Sequence, residues 1–334
     1  MICIFNLLIF IPFIVEAKIW RVNNRPGIAA DFTTAQAAND GAVAGDTVYF
    51  ELSPTSYGNL NVTKKLIIIG TGFFLSENPE TQWKTNWPAQ VEYVSIAANG
   101  AHSQIMGLTV NNGLSISAQN IIIKRNYIAY YVTITATNVT FSGNFCSLSS
   151  GGNGFQAGTG NHDIYINNNI FVFYSSSYYS YPASISGTVI SNGTFNNNTL
   201  LGYYSSYGYT YAKLNLDNYL VQNNITFSTN FYPNTNDYSY NIADNANFGI
   251  LYGNQQNVPM ASVILNSGST DGKFQLKPGS PAIGAGYAGY DCGAFGGPNP
   301  YILSGLPPIP AIYNMFIGNT GSQVNVQVQV KSHN

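Results

Sequence analysis

Between residues 93 and 236 only five side chains carry a formal charge: Lys124, Arg125, Asp163, Lys213 and Asp217. His162 stands next to Asp163 in the stretch TGNHDI. Two carboxylates on either side of a sugar linkage can hydrolyse it, provided their separation suits a direct or a water-mediated attack. A carboxylate cluster around calcium, which takes six to eight oxygen ligands, could instead support an elimination in which Lys or Arg removes the proton. Asp163 and Asp217 are the candidate acids, with Lys213 and His162 as candidate bases. Whether any of them meet depends on the elements that carry them.

Those elements are written in a repeat. A short unit recurs as NIIIKRN from Asn120, NVTFSGN from Asn138, DIYINNN from Asp163, NGTFNNN from Asn192 and NYLVQNN from Asn218. Each unit has the same internal spacing, while successive starts differ by 18, 25, 29 and 26 residues. A fixed short strand with a variable connection is the mark of a parallel β-solenoid, whose loops project from the coil corners. Alternation then predicts an inward column of Ile121/Ile123, Val139/Phe141, Ile164/Ile166, Gly193/Phe195 and Tyr219/Val221. The closing asparagines 126, 144, 169, 198 and 224 are expected to stack, because buried amides must pair from coil to coil.

This frame places the candidates. Lys124 falls on the outward strand face, at the position held elsewhere by Ser142, Asn167, Asn196 and Gln222. Asp163 takes the place of an opening asparagine, and Asp217 precedes that column two coils further on. At about 4.8 Å per coil the two carboxylates stand roughly 10 Å apart, too far to share a calcium ion. An Asp beside a strand start also has an ordinary turn role, and His162–Asp163 reads first as a solvated corner.

Charged residues make up only 8% of the chain, against 45% hydrophobic and 14% aromatic. A formal charge of -2 gives no basic field for nucleic acid. The opening MICIFNLLIFIPFIVEA is an apolar run ending in small residues, although no Lys or Arg precedes it. It is expected to be a secretory signal peptide, residues 1–17, which makes the remainder an exported protein. No later apolar run reaches the ~20 residues of a membrane helix. Cys146 and Cys292 show no metal-binding spacing and read as small buried hydrophobes.

DFTTAQAANDGAVAGDTVYF resembles the helical cap and first coil of secreted right-handed parallel β-helix proteins of the pectin-lyase-like superfamily, bacteroidete type. LIIIGTGFFLSENPETQ and SQIMGLTV resemble their early coils, and FQLKPGSPAIGAG followed by DCGAFGG their closing segment. The resemblance spans roughly residues 18 to 310. It implies an all-β, right-handed parallel β-helix over residues 18–300, with a short helix near residues 31–41. That fold hosts lyases, hydrolases and adhesins alike. Calcium is implied only for a lyase, and the polygalacturonase-type combination of N-T-D, D-D, G-H-G and R-I-K is absent from the sequence.

Residues 301–334 are expected to form a proline-rich linker and a terminal hairpin. The alternation in QVNVQVQVK suggests a strand whose apolar face docks on and closes the coils, with attachment or assembly as its alternative role. Tyrosines crowd one part of each coil: Tyr130 and Tyr131, then Tyr174, Tyr178 and Tyr179, then Tyr203, Tyr204, Tyr207 and Tyr209, then Tyr232. Following the same asparagine in successive coils, they should share one corner. Tyrosine with serine and glycine is a recognition composition, able to stack on sugar rings. The expected function is therefore a non-catalytic, secreted β-helix that engages polysaccharide or a cell-surface glycan through this corner. A polysaccharide lyase or glycoside hydrolase, and a structural surface or matrix protein, are the alternatives.

Overall fold

The computed structural model describes residues 16–78, 81, 85–149, 154–158, 162–174, 183–187, 192–202, 212–232, 236–321 and 323–332. Among these, nearly all regular structure lies in two large sheets whose strand neighbours are all parallel. The first, here the front sheet, has ten strands and carries every repeat unit identified above. The second has fifteen and bends into two wings. Tyr127–Ile134 crosses the bend: Tyr127–Tyr130 pairs with Phe145–Leu148, whereas Tyr131–Ile134 pairs with Gly154–Ala157. Each coil therefore runs front strand, first-wing strand, second-wing strand. One such coil is Ile164–Asn167, Ile170–Tyr174 and Ala183–Gly187, followed by Gly193–Asn196 back in the front sheet. The chain is a parallel β-helix.

The repeat sets the register. Val139 pairs with Ile164 and Phe141 with Ile166, then Ile166 with Phe195 and Phe195 with Val221. All five inward pairs expected from the alternation are buried. They meet an inward row from the second wing, including Val132, Phe155, Ile185 and Leu214, in one continuous core. At the N-terminal end Ala35–Gly41 forms the expected short helix, with the Thr34 hydroxyl accepting from Ala37 N–H and with Ala35 and Ala38 buried.

First-wing strands differ from the others. Ile170, Phe171, Val172 and Phe173 are all buried, a continuous apolar run of the kind found where both sheet faces are covered. Phe171 and Phe173 point into the coil core, and Ile170 and Val172 into a second cluster on the outside. That outer cluster is completed by Val263, Phe274, Cys292 and Tyr301. The segment expected simply to close the helix thus packs along the outside of the first wing. Tyr301, Ser304, Leu306 and Pro307 are buried, so the packed body continues to Pro307.

Beyond it, Ala311–Thr320 and Gln323–Lys331 form the terminal antiparallel hairpin. Its valines are exposed rather than docked on the coils, and the last coils are covered instead by Phe248. No helix among the described residues is long and apolar enough to cross a membrane.

Candidate functional site

The corner between front sheet and first wing is a two-residue turn repeated in the five coils that carry the repeat unit. Its first residue takes a left-handed conformation: Arg125 at φ 57°, Gly143 at 62°, Asn168 at 58°, Asn197 at 54° and Asn223 at 59°. Asparagine and glycine accept this region most readily. Its second residue is the inward asparagine. Asn144 donates its backbone N–H and its Nδ2 to Asn169 Oδ1, at 2.9 and 3.0 Å, and Asn169 does the same to Asn198 Oδ1. The ladder continues through Asn224 and Asn241 to Asn254. Asn241 and Asn254 were missed in the sequence because their coils lack the full seven-residue unit.

The left-handed residues hold the C-terminal segment. Arg125 Nη1 donates to Leu306 O at 3.0 Å, and Asn168 Nδ2 to Ala294 O and Gly296 O at 3.0 and 2.7 Å. Asn197 Nδ2 donates to Asp291 O, and Asn223 Oδ1 accepts from Tyr287 N–H. Stitched along this corner, the segment raises Pro298, Asn299, Pro300 and Ile302 as a wall beside the front sheet. Between wall and sheet lies a groove of about 540 Å³.

Its floor consists of outward front-sheet residues: Ile122 and Lys124, Thr140 and Ser142, then Asn167 and Asn196. Asn167 Oδ1 accepts from Asn196 N–H and the Thr194 hydroxyl, while Asn196 Oδ1 accepts from Gln222 N–H. With both oxygens occupied, the amide Nδ2 groups are the ones left for a ligand. The Lys124 ammonium has no hydrogen-bond or ion-pair partner among the described residues, its carbonyl accepting from Asn126 Nδ2. Burial, and then the Arg125 guanidinium beside it, pushes the Lys124 ammonium below the usual lysine range; burial also lowers Arg125. Among the described residues no carboxylate lines the groove. The site carries two cationic side chains beside neutral amides and hydroxyls.

The catalytic candidates are elsewhere. His162 and Asp163 do touch, with Nδ1 and Oδ2 2.7 Å apart, but on an exposed corner between second wing and front sheet. Asp163 has φ 57° and accepts from Asn192 Nδ2 of the next coil, the place Asn120 fills for Asn138. Hydrogen bonds from His162 and from Asn192 hold its carboxyl below the usual range. Lys213 lies on the second wing, 5.9 Å from the ring of Tyr232. Asp217 sits in the turn before Tyr219–Gln222, with one strand, Gly193–Asn196, between that strand and the one Asp163 leads into. None of the four lines the groove. Among the described residues, no three His, Cys, Asp or Glu side chains are grouped so as to hold a metal ion.

The tyrosine corner lies where the two wings meet, across the coil from the front sheet. Tyr130 and Tyr174 are exposed there, whereas Tyr232, expected at the same corner, is exposed on the second wing in register with Asn215. Tyr131 is half-buried, its ring over Gly113 and 6.2 Å from that of Tyr93. Tyr178, Tyr179, Tyr203, Tyr204, Tyr207 and Tyr209 lie outside the described residues. Their flanking strands are in register, Ile170–Phe173 with Thr199–Gly202 and Ala183–Gly187 with Ala212–Leu216. Both tyrosine-rich connections therefore leave and rejoin the helix at adjacent levels. Comparison with known proteins decides nothing further. No protein family, curated protein or solved structure matches this chain.

Proposed function

We propose that this protein is an exported glycan-binding β-helix of the pectin-lyase-like type, and that an extended, carboxylate-bearing polysaccharide lies in the front-sheet groove. The observation that carries this reading is the groove's composition. Lys124 and Arg125 stand beside outward amides whose oxygens are already bonded, without an acidic side chain in the lining. Donors spaced about 4.8 Å apart along a flat parallel sheet suit an extended chain of acidic sugars, whose carboxylates and ring oxygens accept. Binding without cleavage is favoured because the carboxylates required for either hydrolysis or calcium-assisted elimination are absent from the lining.

A second surface supports the same function differently. Two exposed tyrosines on one corner, Tyr130 and Tyr174, beside the strand ends that flank the tyrosine-rich connections, suit stacking against neutral sugar faces. A panel of uronate-containing and neutral polysaccharides, assayed for binding and for new reducing or unsaturated ends with and without calcium, separates these readings. Binding of uronates that is weakened by Lys124→Met supports the groove. Binding of neutral glycans that survives Lys124→Met and is lost in Tyr130→Ala/Tyr174→Ala supports the corner. Product release would replace binding with catalysis.

A further inference from the structure

In the terminal hairpin Ile312 lies opposite Val330, Met315 opposite Val328, Ile317 opposite Val326 and Asn319 opposite Val324. Directly opposed residues of an antiparallel pair project to the same face. One face is therefore almost wholly aliphatic. The other carries Asn314 with Gln329, Phe316 with Gln327 and Gly318 with Asn325. The seven aliphatic side chains are between 46% and 65% exposed, which is unusual for a contiguous apolar patch on a monomer.

A two-stranded hairpin is marginal by itself in water and needs a surface to pack on. The chain's own body does not provide one among the described residues. Buried structure ends at Pro307, and Pro308, Ile309 and Pro310 form a tether too short and stiff to bring the face back onto the coils. We propose that this face is the interface between two copies of the chain, packed face to face about a two-fold axis as a four-stranded, two-layer sandwich.

Size and chemistry both select a second copy. At roughly 90 Å² for each aliphatic side chain, the face offers about 600 Å² per copy. A symmetric pair then buries about 1,200 Å², the lower bound for a stable interface. The face has no charged side chain, so it offers nothing to an anionic lipid headgroup or to a charged partner. A second flat sheet of valine and isoleucine meets it at the ordinary spacing of packed sheets, about 10 Å, and a self-complementary patch closes as a dimer. The pairing does not rest on the glycan reading, but it would place two grooves in one assembly and raise avidity for a polymer.

Sedimentation velocity of the purified protein at tens of micromolar tests this. The wild type should sediment as a dimer. Val326→Asp should raise the dissociation constant by at least about tenfold, and Gln327→Glu on the opposite face should leave it unchanged. Should Val326→Asp disturb folding, a pair of single cysteines decides: Val328→Cys should give a disulfide-linked dimer under mild oxidation and Gln327→Cys should not. In protein lacking residues 1–17, and with them Cys3, the remaining native Cys146 and Cys292 are buried and do not compete. A monomeric wild type, a dimer indifferent to Val326→Asp, or equal cross-linking of both cysteine variants would overturn the proposal.

Discussion

Gly193 and Tyr219 are register partners in adjacent front strands, and the Tyr219 ring fills the space a side chain at 193 would need. A Cβ added to Gly193 would come within 2.7 Å of two ring carbons. Tyr219 is buried, its hydroxyl has no hydrogen-bond partner among the described residues, and burial pushes its pKa well up. An unpaired buried hydroxyl costs about 1–3 kcal/mol, so Tyr219→Phe should stabilise the fold by about 1 kcal/mol. Gly193→Ala should destabilise by about 1–3 kcal/mol through overpacking. Urea unfolding of the two variants checks both signs.

The asparagine ladder makes a second, larger prediction. Asn169 is fully buried and takes part through all its polar atoms: Oδ1 accepts twice from Asn144, Nδ2 donates to Phe141 O, and its N–H donates to Asn198 Oδ1. Asn169→Ala leaves two buried donors of Asn144 unpaired. The expected loss is about 3 kcal/mol, read as a lower urea midpoint. An equivalent loss should follow for Asn198→Ala, whereas Asn138→Gly, at an exposed position with φ 54° that glycine adopts freely, should cost less than about 0.5 kcal/mol.

These inward residues were also the part most legible in the sequence. Each coil must present the same face to the same core, so Ile166, Phe195 and Asn169 recur at fixed spacing and can be read from one chain. The groove was half legible. Lys124, Asn167 and Asn196 were visible as outward positions of one repeat, but the wall at Pro298–Ile302 comes from more than a hundred residues away. Nothing in its local pattern says which face it will cover. The apolar run IFVFY at residues 170–174 was the available signal that the first wing is covered on its outer side. The charged candidates stood out by rarity, but their surroundings were not legible: Asp163 occupies a left-handed turn position that asparagine fills elsewhere.

Acid sensitivity should concentrate at Asp46. Burial would raise its carboxyl, but Lys18 N–H, Trp20 Nε1–H and Val43 N–H all donate to it, at 2.8, 2.7 and 2.9 Å, and hold it below the usual range. A folded-state pKa below the unfolded value of about 3.9 means stability that is present above that pH. It is lost as pH falls through the lowered folded value. Asp46→Asn should cost about 1–3 kcal/mol at neutral pH, and its deficit should shrink as wild type and variant are unfolded at progressively lower pH. Cleavage after Ala17 would place an α-ammonium at Lys18 against this carboxylate, so the processed chain should unfold at higher urea than one retaining residues 1–17.

The groove has a pH signature of its own. Burial and the neighbouring Arg125 lower the Lys124 pKa, so its ammonium loses its proton at a lower pH than an exposed lysine, which titrates at about 10.4. Arg125 stays charged throughout this range. Affinity for a uronate oligosaccharide should therefore be flat near neutrality and fall as pH rises through the lowered lysine value, while a neutral oligosaccharide shows no such fall. Lys124→Met should weaken uronate binding about tenfold at pH 7, a loss of about 1.4 kcal/mol, and remove the alkaline limb. Lys124→Arg should retain most of the affinity and also abolish the limb, because a guanidinium does not titrate there. Isothermal titration from pH 7 to pH 10 distinguishes the cases. A wild-type profile that matches Lys124→Arg at every pH would show that Lys124 does not meet the ligand.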